Sequence, residues 1–351
     1  MKTFKRIIAV ITVSVLLLGI VGINASANDN SFTVKMINYN VAGMPKFDGT
    51  GASSQKTIAN YIVENGFDIA AVQEDFAYNK SLVKNLDGFD YFTNHAGSIP
   101  GGDGLNIFTD GMPIYNEKRV QWDMSYGDIA EGDMLTPKGF IHAVIEISDG
   151  VYIDFYNIHA DAFETMGSRE ARDSNYNQLL TEVEENYEKY NRPVIITGDF
   201  NHHFHSRPDY ASKMYSFFCE RGGMKEAWVE LCNDGDYFDF SQWQQSGTEF
   251  WGEWDSVEKF FYKDGAGVTV TAKEFNYSWI LNEEGESVSD HAAAECAFEF
   301  TVTDDFIENT QQLEIVKQSP FRNFFNTIKW IFKDLIHVLL NVDEFIEMIG
   351  L

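Results

Sequence analysis

The chain has 351 residues, 44% of them hydrophobic and 15% aromatic, with a formal net charge of −28 at pH 7. That is enough for one large domain or two small ones, and the charge disfavours a nucleic-acid partner unless a bound cation inverts the field locally. Three cysteines, Cys219, Cys232 and Cys296, exclude a disulfide-built scaffold, although Cys219 and Cys232 are near enough in sequence for one bridge.

Lys2, Lys5 and Arg6 precede an apolar run from Ile7 to Val21 and then Ala25-Ser26-Ala27. This is the pattern of a secretory signal peptide cleaved after Ala27, the competing reading being a retained membrane anchor. Residues 28–304 read as one α/β domain and residues 305–351 as a helical tail. Phe32 to Asn40 alternates, with Phe32, Val34, Met36 and Asn38 on one face, and predicts a strand. A helix is expected over Thr57–Val63 and a second strand over Asp68–Val72, ending at Gln73-Glu74. Leu105–Phe108 predicts a strand after a glycine-rich bend that lacks the pattern of a phosphate-binding loop. Lys138-Gly139 opens an alternating run to Ile147, and Val151–Ile158 returns as the other arm of a hairpin. Ser168–Tyr190 has the clearest helical spacing, with Ser168 as its cap. Asp209–Glu220 predicts a further helix, and Ala227–Trp254 is aromatic and loop-like. Val257–Tyr262 and Val268–Tyr277 read as paired strands around Gly265 and Gly267, and Ala292–Val302 as the last strand, in which Cys296 is a buried thiol.

The stretch from Pro193 to Asn201 organises the domain. Val194–Thr197 is a β-branched run of the kind found in buried strands, and Gly198 leaves the backbone free to turn. Asp199 and Asn201 stand one residue apart, so on an extended backbone both face one side at the carboxyl end of the strand, where open α/β sheets place ligands. A carboxylate there can hold a metal or a water, and an amide can bond a phosphate oxygen; a surface turn has the same composition. Polar groups recur beside apolar runs at Asn40, at Glu74, at His159 with Asp161, and at Asp290-His291. Glu74 alone reads either as a metal ligand or as a solvated loop acid. His202, His203 and His205 are either a second metal site or a polar loop flanking the first, and the second reading is preferred.

Tyr39-Asn40-Val41, Val72-Gln73-Glu74, Asn157-Ile158-His159, Gly198-Asp199-Phe200-Asn201 and Ser289-Asp290-His291 occur in an order that resembles the endonuclease/exonuclease/phosphatase superfamily of DNase I-like nucleases, neutral sphingomyelinases and inositol-polyphosphate phosphatases. The resemblance implies a four-layer α/β sandwich of two packed mixed β-sheets flanked by helices. It implies Glu74 as the main metal-ligand carboxylate with Asn40 beside it, and Mg²⁺ as the ion, with Mn²⁺ or Ca²⁺ as alternatives. His291 resembles the general base or the group that stabilises the transition-state phosphate, and Asp290 an acid that supports metal or water. Asp199 and Asn201 would orient the attacking water and the phosphate, and His159 would bond a phosphate oxygen or protonate the leaving group. Where the family has an Asp that orients the final His, this chain has Glu258, with Asp255 as a substitute.

The function this implies is a secreted, Mg²⁺-dependent phosphodiesterase acting on a phospholipid such as sphingomyelin. An extracellular nuclease and a non-catalytic metal-holding surface module are the alternatives. Trp251-Gly252-Glu253-Trp254 suits a lipid surface. So does the tail from Ser319 to Val342, where Arg322, Asn326, Lys329, Lys333, His337 and Asn341 form a polar stripe opposite aromatic and aliphatic residues. The same pattern also suits an outer helix packed on the body.

Overall fold

A computed structural model of the chain describes residues 30–44, 51–98, 101–126, 136–204, 208–241, 255–306, 308, 313–318 and 328. The expected signal peptide, the Trp251–Trp254 loop, His205 and almost all of the tail lie outside the described residues. Six strands form one sheet: β1 (Ser31–Asn40), β2 (Ile69–Gln73), β3 (Tyr91–Phe92), β4 (Asn106–Thr109), β11 (Val268–Ser278) and β12 (Ala293–Val302), in the spatial order β11-β12-β1-β2-β4-β3. Six more form the other: β5 (Ile114–Gln121), β6 (Gly139–Ser148), β7 (Val151–His159), β8 (Val194–Asp199), β9 (Lys225–Glu226) and β10 (Glu258–Lys263), in the order β5-β6-β7-β8-β10-β9. Each sheet has one parallel pair at its centre, β1 with β2 and β7 with β8, and antiparallel neighbours elsewhere. The helices are α1 (Ala52–Glu64), α2 (Asn79–Asn85), α3 (Met166–Tyr190), α4 (Pro208–Met214), which runs on into a π-helical segment over Tyr215–Arg221, and α5 (Ala227–Cys232). This is the expected four-layer sandwich.

The alternation of β1 decides what lies between the sheets. Ile37 and Tyr39 pack in a cluster with Ile58, Ala59 and Ile62 of α1, whereas Val34 and Met36 belong to the large core shared with Phe155, Ile158 and Ile196. Asn38 and Asn40 are in phase with Val34 and Met36, so both face the second sheet. There Gln73 donates from Nε2 to Asn38 Oδ1 and to Asn157 Oδ1, each at 2.7 Å. Asn38 donates to Gly198 O at 2.8 Å, and Asn157 donates to Val72 O and Asn106 O, both at 2.9 Å. Three buried amides thus bond the two sheets to each other beneath the carboxyl ends of their parallel pairs.

Several expectations are corrected. Strands β10 and β11 are not a hairpin: β10 pairs with β8 and β9, and β11 pairs with β12, a Gly265–Val268 bridge closing the turn between them. The turn hands the chain from one sheet to the other, which two alternating runs around glycines cannot reveal. Helix α3 starts earlier than Ser168, because Thr165 caps it by accepting from Ser168 N at 3.1 Å. The region after Ala227 contains the short helix α5. Strand β5, an edge strand with charged residues and a bulge, had no apolar run to announce it. All three cysteines are free thiols.

Gly198 serves a close approach within β8 rather than a turn after it. Its φ is +144°, and a Cβ there would stand 2.1 Å from Ile158 O on the neighbouring strand. Gly198→Ala is therefore expected to cost on the order of 3 kcal/mol, as overpacking of a well-filled interior does. A urea midpoint that does not move would show that β7 and β8 can separate freely.

Candidate active site

Register explains which side chains meet. At the centre of each sheet two parallel strands end together: Asn40 stands opposite Gln73, and His159 opposite Asp199. Antiparallel neighbours then bring strand beginnings to the same edge. Glu258, the first residue of β10, pairs with Asp199. Ala294 of β12 pairs with Asn38, which sets His291 beside the end of β1. Phe140 of β6 pairs with Ile158, which brings Lys138 towards His159.

The two sheets meet at this edge through Asn40. Its amide nitrogen donates to Glu74 Oε1 at 3.0 Å and to Asp199 Oδ2 at 3.2 Å, while its oxygen accepts from Ala42 N at 3.1 Å. Glu74 is half-buried in the turn after β2 and holds a positive φ of 55°. Asp199 is buried; its Oδ1 accepts from Asn201 N at 2.8 Å and its Oδ2 lies 3.5 Å from His159 Nε2. Asn201, also at positive φ, donates to Ala160 O at 3.0 Å and so ties the end of β8 to the end of β7. His291 bonds through Nδ1 to Glu258 Oε1 at 2.6 Å, and that nitrogen lies 4.0 Å from Asp199 Oδ2. Ser256 donates to the other Glu258 oxygen. Asp290 is exposed next to His291. Glu258 rather than Asp255 therefore orients the final histidine. Asp255 is buried elsewhere, accepting from Phe204 N and pairing with the fully buried Lys259.

The two histidines are driven apart electrostatically. His159 is buried, and desolvation, reinforced by the Lys138 and His291 charges, holds its pKa well below the usual value, so it is neutral. Burial alone would lower His291 too, but the Glu258 carboxylate, its hydrogen bond, and then Asp199 and Asp290 raise its pKa to about 10, so it is a cation. Burial pushes the Asp199 carboxyl upward; the His291 and Lys138 cations oppose this and Glu258 adds to it.

Of the residues expected from sequence, Asn40, Glu74, His159, Asp199, Asn201, Glu258 and His291 come together. Asp290 contributes charge from the rim. Asp161 serves the loop after β7, accepting from Tyr126 N at 2.7 Å. His202 and His203 lie behind the edge: the ring of His202 stacks on Tyr176, and His203 Nδ1 lies 3.0 Å from Asp255 O. Lys138 is the cation that sequence reasoning passed over, having read it only as the opening of a strand. The one signal for it was that a strand antiparallel to β7 must begin where β7 ends.

The donor set suits a hard divalent cation. Carboxylate oxygens from the two sheets, Glu74 Oε1 and Asp199 Oδ2, converge on one amide nitrogen, and oxygen ligands of this kind fit Mg²⁺ with its retained waters. Atoms of Asp199, Glu258 and His291 also lie within 4.8 Å of one another. In that second group the facing atoms of Glu258 and His291 already share a hydrogen bond, so the Glu74 side is the better seat for an ion.

No family model matches the chain. A sphingomyelinase of Mycobacterium bovis is 27% identical over 284 residues, an alignment covering 79% of this chain and 55% of the relative. The chain thus spans about half the length of the curated relatives it matches. An endonuclease/exonuclease/phosphatase family protein from Bacteroides thetaiotaomicron superposes with a TM-score of 0.53 at 18% identity, over 77% of this chain and 98% of that one. The chain therefore shares the fold of that endonuclease/exonuclease/phosphatase family protein. A mutant beta toxin from Staphylococcus aureus, solved with bound magnesium ions, shares this fold with a TM-score of 0.54 at 14% identity, over 76% of this chain and 99% of the toxin. The resemblance carried by the five motifs is thus borne out at the level of fold.

The His291–Glu258 pair has a testable pH signature. A histidine whose folded pKa is raised stabilises fully below its unfolded value of 6.5, and that contribution is lost as pH rises through about 10. His291→Asn should therefore lower the melting temperature clearly near pH 6 and much less near pH 10. An equal loss at both values would mean that the pair is not charged in the folded chain.

Proposed function

We propose that the chain is a secreted, Mg²⁺-dependent phosphodiesterase that hydrolyses a phospholipid such as sphingomyelin by direct attack of water. The observation that carries this is the single amide of Asn40 joining Glu74 of one sheet to Asp199 of the other, with His291 held on Glu258 beside them. Glu74 and Asp199 would hold the ion, which would neutralise phosphate charge and stabilise the leaving oxygen when bound. Asp199 would orient the water and take its proton as the water oxygen bonds to phosphorus and the bond from phosphorus to the leaving oxygen breaks. Asn201 fixes the Asp199 carboxylate through its backbone N–H. The cationic His291 would donate a hydrogen bond to a phosphoryl oxygen in the transition state, which favours its charge-stabilising role over that of general base. Neutral His159 would donate to a second phosphoryl oxygen, and Lys138 adds positive field at the same end.

The lipid substrate is supported by the relative's name and by the loops at this edge. Met124 and Tyr126 follow β5, and Phe163 and Met166 follow β7; all four are large apolar side chains exposed to solvent, Met166 by 77%. The two loops touch, since Tyr126 N bonds Asp161 and the Tyr126 ring lies against Gly167. Phe163 holds a φ of +67°, a strained state for a bulky residue, and buried Arg172 pins its carbonyl and that of Asp161. Rigidly presented apolar groups beside a phosphodiester site suit a substrate whose acyl chains lie in a bilayer. The chain's acidity fits a zwitterionic headgroup better than a polyanion. The residue 1–27 segment would direct secretion and the residue 319–342 segment would add membrane affinity. Among the described residues no helix is long and apolar enough to cross a membrane.

Chelation with EDTA should abolish hydrolysis of a chromogenic phosphodiester, Glu74→Gln should raise the Mg²⁺ needed to restore it, and His291→Ala should lower turnover about 10²–10⁴-fold. Full activity in EDTA would rule out the metal-assisted mechanism, and a chain inert on every phosphodiester would be a binding module. Between substrates, sphingomyelin vesicles should be cleaved in preference to DNA. Phe163→Ser combined with Met166→Ser should depress vesicle hydrolysis at least tenfold, as expected if several exposed apolar groups enter the interface, and leave the soluble substrate untouched. Preferential cleavage of DNA would replace the lipid reading with the nuclease one.

A further inference from the structure

We infer that Asp75 is a positioning residue that locks Glu74 into the geometry a divalent cation needs. This rests on the reading of Glu74 as the ion's ligand. Glu74 has no reason of its own to stay where it is. Its backbone lies in the left-handed region at φ +55°, its side chain is held among the described residues only by the Asn40 amide, and it faces Asp199, which repels it when no cation lies between them. An unrestrained turn would relax by swinging the carboxylate away.

The next residue prevents this. Asp75 is buried, and its Oδ2 accepts from two side-chain amides, Asn79 Nδ2 at 2.6 Å and Asn106 Nδ2 at 2.7 Å. Its backbone is held as well: Asp75 N donates to Gly104 O at 2.9 Å, and Asp75 O accepts from His95 Nε2 at 2.8 Å. Four residues from three segments therefore grip one residue. The grip reaches the opposite sheet, because Asn106 Oδ1 lies 3.3 Å from Arg119 Nη2 of β5 and Asn106 O accepts from Asn157 of β7. Arg119 is itself fixed by a bidentate pair with Asp103 at 2.7 and 2.8 Å and by Glu117 at 2.9 Å. On the other side of Glu74, Gly43 N donates to its carbonyl at 3.0 Å, and a Cβ on Gly43 would stand 2.5 Å from that oxygen, so the clamp closes only against glycine. Both amides occupy Asp75 Oδ2, and its Oδ1 is buried without a hydrogen-bond partner among the described residues. Its role is to make the strained Glu74 turn the only one available, so that the cation does not have to supply the ordering.

Mg²⁺ titrated calorimetrically into the full chain tests this. Asp75→Asn should weaken Mg²⁺ binding about 10–100-fold, as loss of outer-sphere support does. Turnover of a soluble phosphodiester should return to the wild-type value at saturating Mg²⁺ while the half-saturating concentration stays shifted, which general loosening of the core would not produce. Asn79→Ala, at the half-buried start of α2, removes one of the two amides and should shift the affinity in the same direction by a smaller factor with an unchanged melting temperature. Wild-type Mg²⁺ affinity in a folded Asp75→Asn overturns the inference, and if that variant does not fold, unchanged affinity in Asn79→Ala overturns it. A wild-type chain that binds no Mg²⁺ overturns the proposed function itself, a result separate from either.

Discussion

Asn38, Gln73 and Asn157 are sealed between two sheets whose shared core is largely apolar. Apolar contacts are non-directional and tolerate sliding, whereas a buried amide left unbonded costs more than the contact around it returns. Gln73 must find acceptors on both sheets at once, and Asn157 must reach carbonyls of β2 and β4 from β7. Only one placement of the sheets satisfies all of these bonds. The reactive layer, Asn40 and Glu74 on one side and His159 and Asp199 on the other, sits immediately beyond this bridge and inherits its accuracy.

This strongly acidic chain gathers positive charge at the edge where its two parallel pairs end. It does so with few residues and with burial. His291 is kept charged by the carboxylates around it, His159 is kept neutral by being sealed among apolar groups and cations, and Lys138 is delivered by the start of β6. Identical side chains are thereby given different jobs by environment alone. The buried Asp255–Lys259 pair lies under the Glu258 strand and contributes no free charge to the edge, which leaves Glu258 to govern His291.

One fold can host unrelated substrates, so discrimination lies in what surrounds the shared edge. In this chain the described residues of the neighbouring loops after β5 and β7 are tied to α3. Arg172, buried at the start of α3, holds two carbonyls and Glu164 of the second loop, and Asn175 holds Met124 of the first. Such anchoring lets apolar side chains be offered to a partner without an entropic cost of ordering them at that moment.

Local sequence was sufficient for elements whose burial is regular along the chain. The alternation of Phe32–Asn40, the β-branched run before Gly198 and the period of Tyr176, Leu179, Leu180 and Val183 each record which face is covered, and the polar residues beside them were legible as a site because their position broke that regularity. What no local pattern carries is partnership. That β10 and β11 part into different sheets, that Glu258 rather than Asp255 meets His291, that Lys138 stands near His159, and that Asp75 rather than Glu74 is the gripped residue all depend on bonds between segments distant in sequence. Hydrophobic periodicity reports only that a face is buried. Which face covers it is decided by register and by the directional needs of buried amides and carboxylates, and these exist only once the sheets have packed.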